Sequence, residues 1–133
     1  MLHKKFFEGS AEDWLRYARS DLEISKVSDL SDRILLEELC FHAQQAAEKA
    51  LKAILIAKGV SFPRTHSIST LIEFLPEDIV VPSEVLDAAA LTDYAVMTRY
   101  PSIMESVEYE EYKEAVRMAE YVLLWAEKII CPK

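Results

Sequence analysis

Two glycines and five prolines are few for 133 residues, and a chain so short of turn-formers cannot easily make the many tight turns of an all-β fold. It also lacks a Walker loop, a Gly-x-Gly-x-x-Gly turn and a Gly-x-Ser-x-Gly elbow, which removes the common phosphate-cradling folds. Its two cysteines, Cys40 and Cys131, have no metal-ligand spacing and no framework character, so both are expected to be free thiols. A His-Glu-x-x-His pair is missing, and Glu38 to His42 is a four-residue step with no second copy, unlike the paired Glu-x-x-His helices of di-metal bundles. No segment reaches the roughly 18 apolar residues of a membrane span. Residues 1–7 have neither the long apolar stretch nor the small-residue site of a signal peptide. A cytoplasmic protein with no membrane contact and no required cofactor is the expectation.

Cationic excess is missing as well. Fifteen Lys and Arg against 23 Asp and Glu give a formal charge of −8, with a pI near 4.9. That balance argues against direct, non-specific binding to a nucleic-acid backbone, which needs clustered cations to release counterions. A local basic cleft stays compatible with it.

What is present is apolar and periodic. With 51% hydrophobic residues the chain can bury a continuous core as a single domain, 1–133. Ser10, followed by Asp13 three residues on, reads as the cap of a first helix from about Ser10 to about Val27, with Trp14, Ala18, Leu22 and Ser25 at helical spacing. Leu30-Ser31-Asp32 supplies the next cap, and the longest helix is expected to run from there to Gly59, a residue suited to the left-handed end of a helix. On it Leu35, Leu36, Leu39, Ala43, Ala46, Ala47, Ala50, Ala53, Ile54 and Ala57 share one face, rich in alanine. The opposite face carries Phe41, Gln44, Gln45, Glu48 and Lys52, flanked by His42 and Lys49.

A short helix is expected from about Ser67 to Leu75, capped by Ser67 or Thr65, and Pro76 and Pro82 confine residues 77–81 to a loop. A fourth helix begins at Pro82-Ser83, with Leu86, Ala89, Ala90, Asp93, Tyr94 and Met97 inward, and stops or kinks at Tyr100-Pro101. The last runs from about Glu108 to Ile130, with Ala115, Val116, Ala119, Val122, Leu123, Ala126, Ile129 and Ile130 as its core face. Amphipathic helices with short loops make an all-α up-and-down bundle.

The polar stripe of the long helix admits two readings. As a solvated face, its Glu48–Lys52 pair at four-residue spacing contributes only a few tenths of a kcal/mol. As a site, Gln45, Glu48, Lys49 and Lys52 line a polar surface. His42 is either a partly buried, satisfied histidine or an acid–base group, and Arg64 and His66 either cap a helix or contact an anion. Arg99 beside Tyr100 offers a bidentate phosphate donor next to a stacking ring, or else a packed tyrosine with its arginine paired to a glutamate.

Three segments in order resemble the HEPN domain: residues 41–53 (Phe41-His42-Ala43 through Ala53), Arg64-Thr65-His66-Ser67-Ile68 after the glycine-ended break, and Tyr94 through Arg99-Tyr100-Pro101. The Trp14–Leu22 and Tyr121–Trp125 helices match as well. The resemblance implies a four- to five-helix bundle of the type found as the substrate-binding subunit of nucleotidyltransferases. It implies a two-fold homodimer, a small nucleotidyltransferase as partner, a purine nucleotide as ligand, and a role in a toxin–antitoxin pair. Under it, Arg99 and Lys52 would contact phosphate, Gln45, Glu48, Lys49 and His42 would line the site, and Arg64 and His66 would reach in from the loop. Tyr94 or Tyr100 would stack on the base.

A second branch of that family resembles metal-independent ribonucleases, whose mark is an arginine followed four to six residues later by histidine. Here Ile103, Met104 and Glu105 stand at those positions after Arg99, and none of His3, His42 and His66 lies at that distance from an arginine. Without a positioned acid or base, cleavage loses roughly 10²–10⁴-fold. The sequence therefore leans towards a binding protein, with an atypical ribonuclease using Arg99 and His42 or His66 as the alternative.

Overall fold

The computed structural model describes residues 9–97 and 106–132, and every described element is helical. Helices α1 (Ala11–Ser25), α2 (Leu36–Ala57) and α6 (Tyr109–Ile130) form the body. The chain between α2 and α6 contributes α3 (Ile68–Glu73), α4 (Ser83–Asp87), a 3₁₀ turn (Ala88–Thr92) and α5 (Asp93–Met97), the last three continuous with one another. Counting 83–97 as one unit, the described residues make a five-helix, all-α bundle.

Side-chain bridges fix the helix directions. Arg19 reaches Glu127 and Lys26 reaches Glu120, so α1 and α6 are antiparallel. Asp21 contacts His42 and Lys49, while Trp14 lies against Lys52 further along, so α1 and α2 are antiparallel too. Helix α2 lies at the centre of the bundle. Its Ala43, Ala46, Ala47, Ala50 and Ala53 are fully buried, and such small side chains let neighbouring helices approach closely.

Local chemistry sets the ends. Ser10 Oγ accepts from the Asp13 amide and Asp13 Oδ2 accepts from the Ser10 amide, a reciprocal capping box at the expected place. Gly59, at φ +71°, ends α2 with its amide on the Ile56 carbonyl and the next amide, of Val60, on the Leu55 carbonyl. This double closure needs a left-handed residue, which glycine adopts without a Cβ penalty. Ser67 caps α3 by accepting from the Thr70 amide. Residues 77–81 form the expected loop between Pro76 and Pro82.

Two expectations need correction, and one open alternative is decided. Helix α2 starts at Leu36 rather than near Asp32, because Ser31 Oγ accepts from the Arg33 amide and its carbonyl from the Ile34 amide, a local turn that competes with helix entry. Leu35, at the cap, is therefore 55% exposed, and Ala57, in the last turn, is exposed as well. In the 83–97 segment Leu86, Ala90 and Asp93 face outward, whereas Val85, Ala88, Leu91 and Tyr94 are buried. Those four are three residues apart, the period of the 3₁₀ turn that interrupts the segment, and the expected face assumed 3.6. Finally, the polar stripe of α2 is not a solvated face: Gln44, Glu48 and Lys52 are buried. No helix among the described residues is long and apolar enough to cross a membrane.

Candidate functional site

The polar stripe is buried because two covers lie over it. From one side α1 brings Asp21, whose carboxylate takes His42 Nδ1 at 2.9 Å and Lys49 Nζ at 2.7 Å. From the other, the loop after Gly59 brings His66, whose Nδ1 lies 3.0 Å from Glu48 Oε1 and whose carbonyl accepts from Gln44 Nε2 at 3.2 Å. Each cover supplies a partner that the helix cannot supply itself, which is what makes burial of so many polar groups tolerable. Among the described residues, no buried side-chain nitrogen or oxygen lacks a partner.

Glu48 is the hub. Its Oε1 accepts from Gln44 Nε2 at 2.9 Å and Gln45 Nε2 at 3.3 Å as well as from His66, and its Oε2 accepts from Lys52 Nζ at 2.8 Å. Burial alone pushes the Glu48 carboxyl above its usual range. The hydrogen bonds from Lys52 and Gln44, the Lys52 charge and the His66 hydrogen bond overcome that, leaving it below the ordinary glutamate value. Glu48 is therefore ionised at neutral pH, and His66 Nδ1–H donates to it. The opposite edge of the ring, with Nε2, belongs to a side chain that is 53% exposed.

Lys52 neutralises the hub and is closed in by apolar rings, with Trp14 at 5.6 Å and Phe62 at 6.0 Å from its ammonium. At 8% exposure it acts inside the site rather than at its surface. Lys49 and Gln45 are half-buried on the adjoining strip of the helix, and Lys49 lies 5.8 Å above the Tyr17 ring. Arg64 is exposed on the loop, two residues before His66.

Six of the ten residues singled out from sequence thus gather around α2: His42, Gln45, Glu48, Lys49 and Lys52 on the helix, with His66 on the loop, where Arg64 is exposed two residues earlier. Tyr94 does not join them. It is buried between α2 and α6, its hydroxyl donating to Glu111 and lying close to Cys40. Arg99 and Tyr100 lie outside the described residues. Sequence reading passed over Asp21 and Tyr17, although with Trp14 they stand at i, i+3 and i+7 on one face of α1, and an aspartate on an otherwise aromatic stripe is a signal of a buried partner. No group of three or more His, Cys, Asp and Glu among the described residues is placed to hold a metal.

Comparison with known proteins agrees with this fold. A Thermus thermophilus protein, TT1696, has a crystal structure that superposes with a TM-score of 0.78 at 37% identity, covering 90% of this chain and 97% of that one. The structure of ST0689, an archaeal HEPN homologue, gives a TM-score of 0.69 at 29% identity over 92% of this chain and 98% of that one. A Methanocaldococcus jannaschii protein known as "Putative toxin MJ1304" is 27% identical over 129 residues, covering 85% of this chain and 83% of its own. The family model of the HEPN domain matches residues 11–129, from the first residue of α1 to the last turn of α6, and the chain belongs to the HEPN family.

Proposed function

We propose that this HEPN protein is a nucleotide-binding accessory subunit without a catalytic step of its own, a homodimer that works with a small nucleotidyltransferase as one arm of a toxin–antitoxin pair. The observation that carries the nucleotide half is the pairing of a buried, ionised Glu48 with the half-exposed His66, two residues from an exposed Arg64. A carboxylate that fixes one edge of an imidazole leaves the other edge pre-oriented, and an arginine beside it adds a planar donor fork suited to phosphate. A purine nucleotide is the ligand this reading favours. The likeness to the Methanocaldococcus jannaschii protein supports the toxin–antitoxin setting, and the HEPN resemblance supports the partner.

Thermal unfolding against ATP, GTP, CTP and UTP, with and without magnesium, tests the nucleotide half. A ligand at 100 times its dissociation constant adds about 2.7 kcal/mol to the folded state. A rise in melting temperature for one nucleotide, lost in His66→Ala, is the expected result; no rise for any of them overturns it. Co-expression with a nucleotidyltransferase encoded nearby tests the other half, through recovery of a complex.

The same His66–Glu48 pair favours one second reading, a metal-independent ribonuclease with an atypical site. A carboxylate-held imidazole on a half-exposed side chain has the arrangement of an acid–base group. Cleavage of a mixed RNA by the wild type, abolished by His66→Ala in a folded protein, would decide in its favour.

A further inference from the structure

A cleft of about 410 Å³ opens at the end of α1 remote from Trp14, between Lys26 and the turn that follows it on one side and the first turns of α6 on the other. The most buried of its lining groups is Tyr112, 4% exposed, whose hydroxyl donates to the Ser25 carbonyl at 2.5 Å and so ties α6 to the last residue of α1. Lys26, Lys113 and Arg117 line the cleft against two carboxylates, Asp29 and Glu120, in a chain whose overall charge is −8. Lys113 and Arg117 stand one turn apart on α6, and Lys26 comes from α1. A local cationic excess on an acidic protein concentrates anions there.

Each of these cations already has a carboxylate: Lys26 meets Glu120 at 3.1 Å, Lys113 meets Glu110 at 3.2 Å, and Arg117 pairs with Glu114. Glu84 and Asp87 of α4 act on Arg117 as well. The three paired carboxylates are 43% exposed or more, so the pairs are weak and exchangeable in water. Of all these acids only Glu120 lines the cleft; the others hold their cations from outside it. A singly charged guest would exchange one carboxylate for another and gain little. A guest with several charges close together meets two or three cations at once, which the separate carboxylates cannot do.

We propose that this cleft binds a multiply charged phosphate anion, pyrophosphate or a short polyphosphate chain, through Lys26, Lys113 and Arg117. The inference is independent of the nucleotide-binding reading, whose residues lie on α2 and the loop after it. The Ser28 hydroxyl, which has no hydrogen-bond partner among the described residues, lines the same cleft and adds a free donor. Recognition is of charge rather than of a base, because Tyr112 is buried and the Tyr109 ring already meets Tyr112 at 5.8 Å and the Lys113 ammonium at 5.2 Å.

Calorimetric titration of the wild-type protein with orthophosphate, pyrophosphate and tripolyphosphate at physiological ionic strength tests the inference. Affinity should rise with charge, tripolyphosphate binding roughly tenfold or more tighter than orthophosphate. Arg117→Ala and Lys113→Ala should each weaken tripolyphosphate roughly tenfold or more, the size of one charge-assisted hydrogen bond. Lys128→Ala, on the same helix but outside the cleft, should leave it unchanged. Glu120→Gln removes a lining carboxylate and frees Lys26, so it should tighten binding severalfold. These side chains are exposed, and the unliganded melting temperatures of the variants should stay close to the wild type. In His66→Ala, which disables the α2 site, ATP should bind no more tightly than tripolyphosphate. No binding of tripolyphosphate, binding that Arg117→Ala and Lys113→Ala leave unchanged, or weaker binding in Glu120→Gln overturns the inference and leaves the α2 reading standing. ATP binding to His66→Ala far more tightly than tripolyphosphate would show that a base is recognised, and would overturn it too.

Discussion

His66 Nδ1 lies 3.0 Å from Glu48 Oε1, joining a loop histidine to a carboxylate that is 3% exposed in the central helix, 18 residues earlier in the chain. That single hydrogen bond fixes both the loop and the ring orientation. It also spends one of the few lone pairs of a carboxylate that already accepts from Gln44, Gln45 and Lys52. A group so fully occupied is a structural hub first and a ligand contact only through what it holds.

Removing the charge of Glu48 should therefore cost more than a surface ion pair would. Glu48→Gln leaves the Lys52 ammonium buried without its counter-charge, and breaking a buried pair from one side typically costs about 3–5 kcal/mol. Adding Lys52→Met should recover most of that, because the orphaned charge is gone and Trp14 and Phe62 already offer an apolar lining. Denaturant midpoints for the two single variants and the double one give the coupling directly. A loss below about 1 kcal/mol in Glu48→Gln, the size of a surface pair, would mean that water reaches Lys52.

The same hub sets an acid limit. Glu48 has a folded-state pKa below its ordinary value of 4.5, so its ionised form stabilises the fold above that value, and the stabilisation is lost as pH falls through the folded pKa. Stability should decline below about pH 4.5, and the decline should be shallower in Glu48→Gln, which has no proton to take up. Unfolding free energies at several pH values between neutral and strongly acidic, for both proteins, check the sign and the window. Parallel curves would assign the acid sensitivity to other carboxylates.

Much of the fold was legible because periodicity and caps are local. Ser10 with Asp13, Gly59, Ser67 and the Pro76–Pro82 pair each mark an end where the structure has one, since each acts through its own backbone within a few residues. The inward face of 83–97 was not legible, because a switch from 3.6 to 3.0 residues per turn leaves no composition signal when alanines fill both faces. The start of α2 was misplaced for a related reason: Ser31 can cap a helix or close a turn, and the choice depends on how the next few residues pack. In the site, spacing put Gln45, Glu48, Lys49 and Lys52 on one face, but not what lay over them. Burial of the stripe depends on His66, 22 residues beyond Gln44, and on Asp21, 21 residues before His42, and no local pattern reports such pairings.

The two cysteines should differ sharply in reactivity. Cys40 is fully buried beneath α5, and burial first, then the nearby charge of Glu111, push its thiol up to about 12, with a smaller push from Glu37 and against the opposing contact with the Tyr94 hydroxyl. Thiolate is the reactive form, so Cys40 should be inert at neutral pH on both counts, access and ionisation. Cys131 is exposed just past the end of α6. Titration of the native protein with an aromatic disulfide reagent should release one equivalent quickly and the second only on unfolding. The rate of the slow equivalent, followed against denaturant concentration, then reports the opening of the α2–α5 contact. Tyr94→Phe, which removes the hydroxyl bound to Glu111, should speed it. Two fast equivalents in the folded wild type would show that Cys40 is reached by solvent and that the packing of α5 against α2 is looser than its burial implies.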